Sequence, residues 1–274
     1  MLYFLAVGFC WFLLIPFLSY LFHARHSLEA TELLSETLLF GSAYGLAAIF
    51  SVTERRPLAD YGLPLTRKAG SLFLRGSVLG LLEIGLLIGS IAALGGYSFG
   101  PVALRGPAIL GWLLYWCVLF VLVGLAEEFA FRGYTQFSLA QAIGFWPAAA
   151  VLSLGFGAIH LGNPGEGWVG AASVSATGLL LAFTLRRTGN LWLAVGWHAA
   201  FDLGETFLFS VPNSGNVFEG HLSNASLRGP VWLTGGSVGP EGSVFCFAIT
   251  GIMALAVHML FPAAKQAASA APHD

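Results

Sequence analysis

Apolar runs of sixteen to twenty-three residues recur along the whole chain, near 2–22, 33–52, 72–94, 108–127, 146–161, 168–185, 190–209 and 243–261. At about 1.5 Å of rise per residue, such runs match the hydrocarbon thickness of a bilayer. Backbone that crosses lipid must satisfy its own hydrogen bonds, so helices follow. With 57% hydrophobic and 9% charged residues, no stretch has the composition of a soluble domain. The expected fold is an all-α integral membrane protein of about eight transmembrane helices.

Residues 2–22 lack a basic leader and exceed the apolar region of a signal peptide, so they read as a retained first span. With the N-terminus inside, Arg55, Arg56, Arg67, Lys68, Arg75, Arg186, Arg187 and Lys265 fall on the cytoplasmic side, against Arg25, Arg105 and Arg228 outside. That asymmetry obeys the positive-inside rule and places both termini in the cytoplasm. The long connector, 210–242, is then an outer loop, and its Asn224-Ala225-Ser226 sequon carries little weight alone. A net charge of −2 with few Lys or Arg offers no stripe for nucleic acid. Cys10, Cys117 and Cys246 sit in apolar runs without a CxxC pair, which argues against a disulfide framework or a thiolate zinc site.

The run ending at 127 flows into "LAEEFAFRGY", residues 125–134. Neighbours at i,i+4 on a helix meet, so Glu128 can pair with Arg132 while Glu127, about 100° away, faces elsewhere. Each charge deep in a span costs about 2.5–3.5 kcal/mol on insertion scales, so three together call for pairing, a polar cavity or a function. The stretch 108–140 is too long for one crossing, and its far end is expected to project from the membrane or tilt. Two later runs add to the polar set. "LGFGAIHLGNP" carries His160, and "LAVGWHAAFDLGE" carries His198 and Asp202 four apart on one face. If 108–140 and 146–161 form a hairpin turning near Gly144, Glu127 and His160 come out level. Gly155, Gly157 and Gly196 would let helices approach closely there.

A free carboxylate, a carboxylate–arginine pair and two histidines inside a bilayer suit amide hydrolysis. Glu127 can act as general base toward water, His160 can orient that water, and His198, held by Asp202, can donate to the oxyanion. Glu83 reads as a polar contact between helices or a cavity-lining group. Glu36 and Glu205 read as residues near span ends, and His258 as interfacial. A proton-coupled carrier would also need intramembrane carboxylates and histidines, but the paired broken-helix repeats of that class are not evident. A non-catalytic immunity or scaffold protein could keep the fold without needing the polar set.

Three motifs in order, EExxxR in "EEFAFR" (Glu127, Glu128, Arg132), FxxxH in "FGAIH" (Phe156, His160) and HxxxD in "HAAFD" (His198, Asp202), resemble the CAAX protease and bacteriocin-processing family of intramembrane proteases. "RRPLADYGL" at 55–63 also looks like that family, so the resemblance covers about 55–209. It divides the chain into N-terminal helices at 1–54, a catalytic core at 55–209, and an outer loop with a final helix at 210–274. It implies an eight-helix fold with a polar cavity open to the cytosol, with Glu127 as base and Glu128 and Arg132 in support. His160, His198 and Asp202 would surround the water and oxyanion. The prenyl-protein proteases carry asparagine where Asp202 stands, and an ionised Asp202 can only accept, which shifts its role toward orienting His198. The expected substrate is a membrane-embedded or lipidated protein, the expected setting the plasma (inner) membrane of a bacterium. No cofactor is expected; the alternative is zinc on Glu127, His160 and His198, although the HExxH helix is absent.

Overall fold

The computed structural model describes residues 2–262; Lys265, one of the charges used for orientation, lies outside them. Five helical stretches are long and apolar enough to cross a membrane: Leu2–His23, Leu28–Glu54, Ala69–Ala93, Pro107–Ile143 and Trp168–Thr188. The first three are α1, α2 and α3. The fourth comprises α4 (Pro107–Arg132) and α5 (Tyr134–Ile143), followed by α6 (Phe145–His160). Next come α7 (Trp168–Thr188), α8 (Trp192–Leu203), which runs on through a π turn at Gly204–Leu208, and α9 (Val244–Leu260). The chain is thus a multi-pass helical membrane protein. α6, α8 and α9 are shorter than the five long stretches.

Local chemistry sets several boundaries. Ser27 Oγ accepts from the Ala30 amide and starts α2 inside a polar stretch, five residues ahead of the apolar run. Pro107 opens α4 at a position whose N–H is not needed. The stretch expected to project or tilt instead breaks at Gly133. A Cβ there would stand 2.4 Å from the Phe129 carbonyl oxygen, so only glycine lets the chain turn off into α5, which packs along α6. The hairpin turn near Gly144 is present, with Gly144 at φ +86°.

The bundle centres on α3 against α8. A Cβ on Gly76 would lie 2.0 Å from the Leu193 carbonyl oxygen, and one on Gly80 2.2 Å from that of Trp197. From the other side, a Cβ on Gly196 would lie 2.1 Å from the Phe73 carbonyl oxygen. Three glycines thus bring the two backbones into direct contact, the packing that membrane helices use where lipid offers no hydrophobic drive. Leu79, Ile84, Leu87, Leu193 and Trp197 fill the interior around them. Outward, Leu5, Phe9, Leu13 and Phe17 of α1 are exposed. An apolar surface of that kind is expected where lipid is the solvent.

Connectors gather at two opposite ends. At one end, β1 (Tyr97–Ser98) pairs antiparallel with β2 (Ser226–Leu227), the Ala103 amide donates to the Leu222 carbonyl at 2.9 Å, and the Gly215 amide donates to the Val238 carbonyl at 2.8 Å. The 161–167 turn joins them, since a Cβ on Gly215 would touch the Pro164 carbonyl oxygen at 2.0 Å. At the other end, Tyr61 and Tyr134 both donate to the Glu54 carboxylate. There too the Leu191 amide donates to the Gly62 carbonyl at 2.7 Å, and Trp192 Nε1 donates to the Pro64 carbonyl at 2.9 Å. These bonds anchor the "RRPLADYGL" segment beneath α8.

Candidate active site

α4 carries Glu127, Glu128 and Arg132 into the bundle. Glu128 and Arg132 are buried, and Arg132 Nη1 donates to Glu128 Oε1 at 3.0 Å, the i,i+4 pair that the spacing suggested. The guanidinium also lies 4.4 Å over the Phe156 ring, so the phenylalanine of the FxxxH motif supports the arginine of the first motif. Glu127, on the neighbouring face, is a quarter exposed to the cavity.

α8 brings His198 against both glutamates. Its Nδ1 lies 2.9 Å from Glu128 Oε1, the same oxygen that accepts from Arg132. Its Nε2 faces the Glu127 and Asp202 carboxylates, each at 3.6 Å. The expectation that Asp202 holds His198 therefore needs correction: 3.6 Å is an ion-pair distance and too long for a hydrogen bond, and the group that fixes the ring is Glu128. One helical turn separates His198 from Asp202, but the ring has swung toward α4. His160, at the end of α6, places Nδ1 2.7 Å from the Phe156 carbonyl. A carbonyl can only accept, so Nδ1 carries a hydrogen and Nε2 is the ring nitrogen left for other partners.

Glu127, His160, His198 and Asp202 line one cavity of 380 Å³. Glu128 and Arg132 lie behind its wall. Sequence reasoning missed several other lining groups, namely Asn163, Asn213, Ser214, Asn216 and Glu241. All belong to the 161–167 turn or the 210–242 connector, whose length was the available signal, because long connectors in compact folds usually serve a function. Glu83 satisfies both readings given to it: it lines the cavity and accepts from Trp197 Nε1 at 2.6 Å and Thr250 Oγ1 at 3.3 Å.

Two span-end readings are corrected. Glu205 is fully buried in the π turn after α8. Glu36 lies more than two turns inside α2, because the Ser27 cap starts that helix early. Outside the spans, burial holds the Glu241 carboxyl above the ordinary carboxylate range, opposed by the bond it accepts from Ser214.

The cavity's connector residues all come from the end that carries 94–106, 161–167 and 210–242. Arg55, Arg56, Arg67, Lys68, Arg186 and Arg187 cluster at the other end. The expected cytoplasmic placement of that arginine-rich end would put the cavity's connector residues on the outer side. The zinc alternative also meets a geometric test. Among the described residues, no three His, Cys, Asp or Glu side chains gather closely enough to hold a metal ion. His198 Nδ1 is committed to Glu128, and Glu127, His160 and His198 do not converge as a ligand set.

Residues 109–204 match the family model described as Rce1-like, type II CAAX prenyl endopeptidase Rce1-like. All three motifs fall inside that segment, so the match covers the helices that carry them. No curated protein and no solved structure matches.

Proposed function

We propose that the protein is an intramembrane endopeptidase that hydrolyses a peptide bond in a membrane-associated or lipidated protein, with Glu127 as general base. The observation that carries this reading is the placement of the Glu127 carboxylate. It faces a cavity inside the bundle, 3.6 Å from His198 Nε2, while its neighbour Glu128 is consumed by Arg132 and His198. A water in the cavity can reach the exposed quarter of the Glu127 side chain beside His198. Glu127 takes a proton from that water, its oxygen attacks the peptide carbonyl carbon, and Glu127 returns the proton to the leaving amine as the C–N bond breaks. His160 Nε2 accepts the water's second hydrogen and so orients it. His198, in its imidazolium form, donates from Nε2 to the tetrahedral oxyanion. Arg132 and Glu128 set the ring angle without touching substrate.

Access from the bilayer supports a membrane-associated substrate. Phe12 of α1 and Ile159 of α6 both line the cavity and are 62% and 38% exposed at the lipid-facing surface. The direct experiment is cleavage of a membrane-peptide library by the purified protein in bilayers, with and without chelator. Glu127-based hydrolysis is expected to proceed unchanged with chelator. If instead one equivalent of zinc co-purifies, cleavage is lost on its removal and zinc restores it, the metal-free mechanism is wrong.

For orientation, the charge asymmetry favours a cytoplasmic arginine-rich end and hence a cavity whose connectors face outward. Val217 is 78% exposed in the 210–242 connector. A single cysteine there, in a protein whose own cysteines are replaced, is expected to react with a membrane-impermeant maleimide in intact cells. Labelling only after lysis would reverse the orientation.

A further inference from the structure

Four carboxylates line the cavity, Glu83, Glu127, Asp202 and Glu241, and neither lysine nor arginine does. Two are accounted for: Glu127 by the proposed chemistry, and Glu83 by the bonds from Trp197 and Thr250. Asp202 faces His198 Nε2 at 3.6 Å and the Asn213 side-chain amide of the connector. Glu241 accepts from Ser214 Oγ through Oε2 at 2.7 Å, while its Oε1 has no hydrogen bond among the described residues. Behind them stands Glu205, fully buried, with neither carboxylate oxygen bonded. Its Oε1 lies 3.5 Å from where a Cβ on Gly239 would stand, so the side chain is aimed at the 239–241 turn rather than at lipid. Arg132, the nearest buried cation on α4, is already bonded to Glu128.

A buried carboxylate without a partner is costly, and a cation placed against it offsets that cost. We propose that Asp202, Glu205 and Glu241 form a subsite for a cationic side chain, lysine or arginine, of the substrate, beside the scissile bond. The inference rests on the endopeptidase reading of the same cavity. Glu241 and Asp202 meet the ammonium or guanidinium directly, and Glu205 adds its charge from behind. Apolar walls from Phe120, Phe156 and Phe201 take the alkyl stem of that side chain. The same field opposes an anionic group, so a free C-terminal carboxylate seated close to Glu241 is disfavoured.

The test uses membrane peptides that are identical except for Lys, Gln or Glu at each position flanking the cleaved bond, presented to the full-length protein in liposomes. At one position the Lys peptide is expected to be cleaved with kcat/KM on the order of tenfold above the Gln peptide, and the Glu peptide below both. Glu241→Gln is expected to bring the Lys to Gln ratio close to one. Glu205→Gln should lower it in the same direction and serves if the first variant does not fold. Equal cleavage of all three peptides by the wild type overturns the subsite, as does a Glu241→Gln variant that slows both peptides alike and keeps the ratio. Binding of the same peptides to the Glu127→Gln protein separates the two readings. Lys-selective binding with no cleavage by the wild type would sink the endopeptidase and keep the subsite. Cleavage without selectivity would do the opposite.

Discussion

Glu127→Gln is expected to lower peptide cleavage by about 10²–10⁴-fold, the range contributed by a positioned general base, while the folded bundle survives. Glutamine keeps the shape and loses the ability to take a proton. The structure gives little reason for it to unfold. The Glu127 side chain is a quarter exposed to the cavity, and its contact with His198 is 3.6 Å, outside hydrogen-bond range. Cleavage in proteoliposomes, with helix content and melting temperature measured beside it, reads the two effects separately. Full activity in the variant would remove Glu127 from the chemistry, and loss of activity together with loss of folding would make it a structural residue.

Arg132→Met should behave in the opposite way and fail at the level of the fold. The guanidinium is 1% exposed, donates to Glu128 Oε1 at 3.0 Å and covers the Phe156 ring. Removing it breaks a buried ion pair and leaves the Glu128 carboxylate with the His198 Nδ1 bond alone, at a cost of up to about 3–5 kcal/mol. Lysine should not rescue it, because a point charge cannot both bond the carboxylate and stack on the ring. Glu128→Gln combined with Arg132→Met should recover part of the loss, since no orphaned charge remains. Reversible unfolding in mixed micelles measures this. A loss below about 1 kcal/mol for the single variant would mean that water reaches the pair and screens it.

Much of the fold is legible in the sequence because a bilayer imposes a simple rule on segment length. The apolar runs at 146–161 and 243–261 become Phe145–His160 and Val244–Leu260. The rule fails where helix and lipid part company. α2 begins in "LEATELLSET", which reads as a connector until the Ser27 cap is seen, and that cap leaves Glu36 more than two turns inside the helix. The break at Gly133 is hidden inside "EEFAFRGYTQF", where periodicity runs on and only the Phe129 carbonyl, one turn back, requires a glycine.

The three motifs are visible because each is local, spaced by helical turns. Their mutual geometry is not, since Glu128 and His198 are seventy residues apart. Spacing on α8 pointed to Asp202 as the partner of His198, and the nearness of another helix decided otherwise. Glu205 and Glu241 escaped for the same reason. Burial at those positions is produced by the 210–242 connector folding over α8, and no short-range pattern records that.

One oxygen of Glu128 receives hydrogen from both Arg132 on α4 and His198 on α8. A nascent chain that has inserted its first four spans already holds Glu127, Glu128 and the arginine, yet the ring that joins them has still to be synthesised. Until α8 enters the bilayer, a ribosome-bound intermediate would carry Glu127 without His198 opposite it. The cluster of Glu127, Glu128 and His198 is therefore complete only once the seventh helical stretch has joined the six before it.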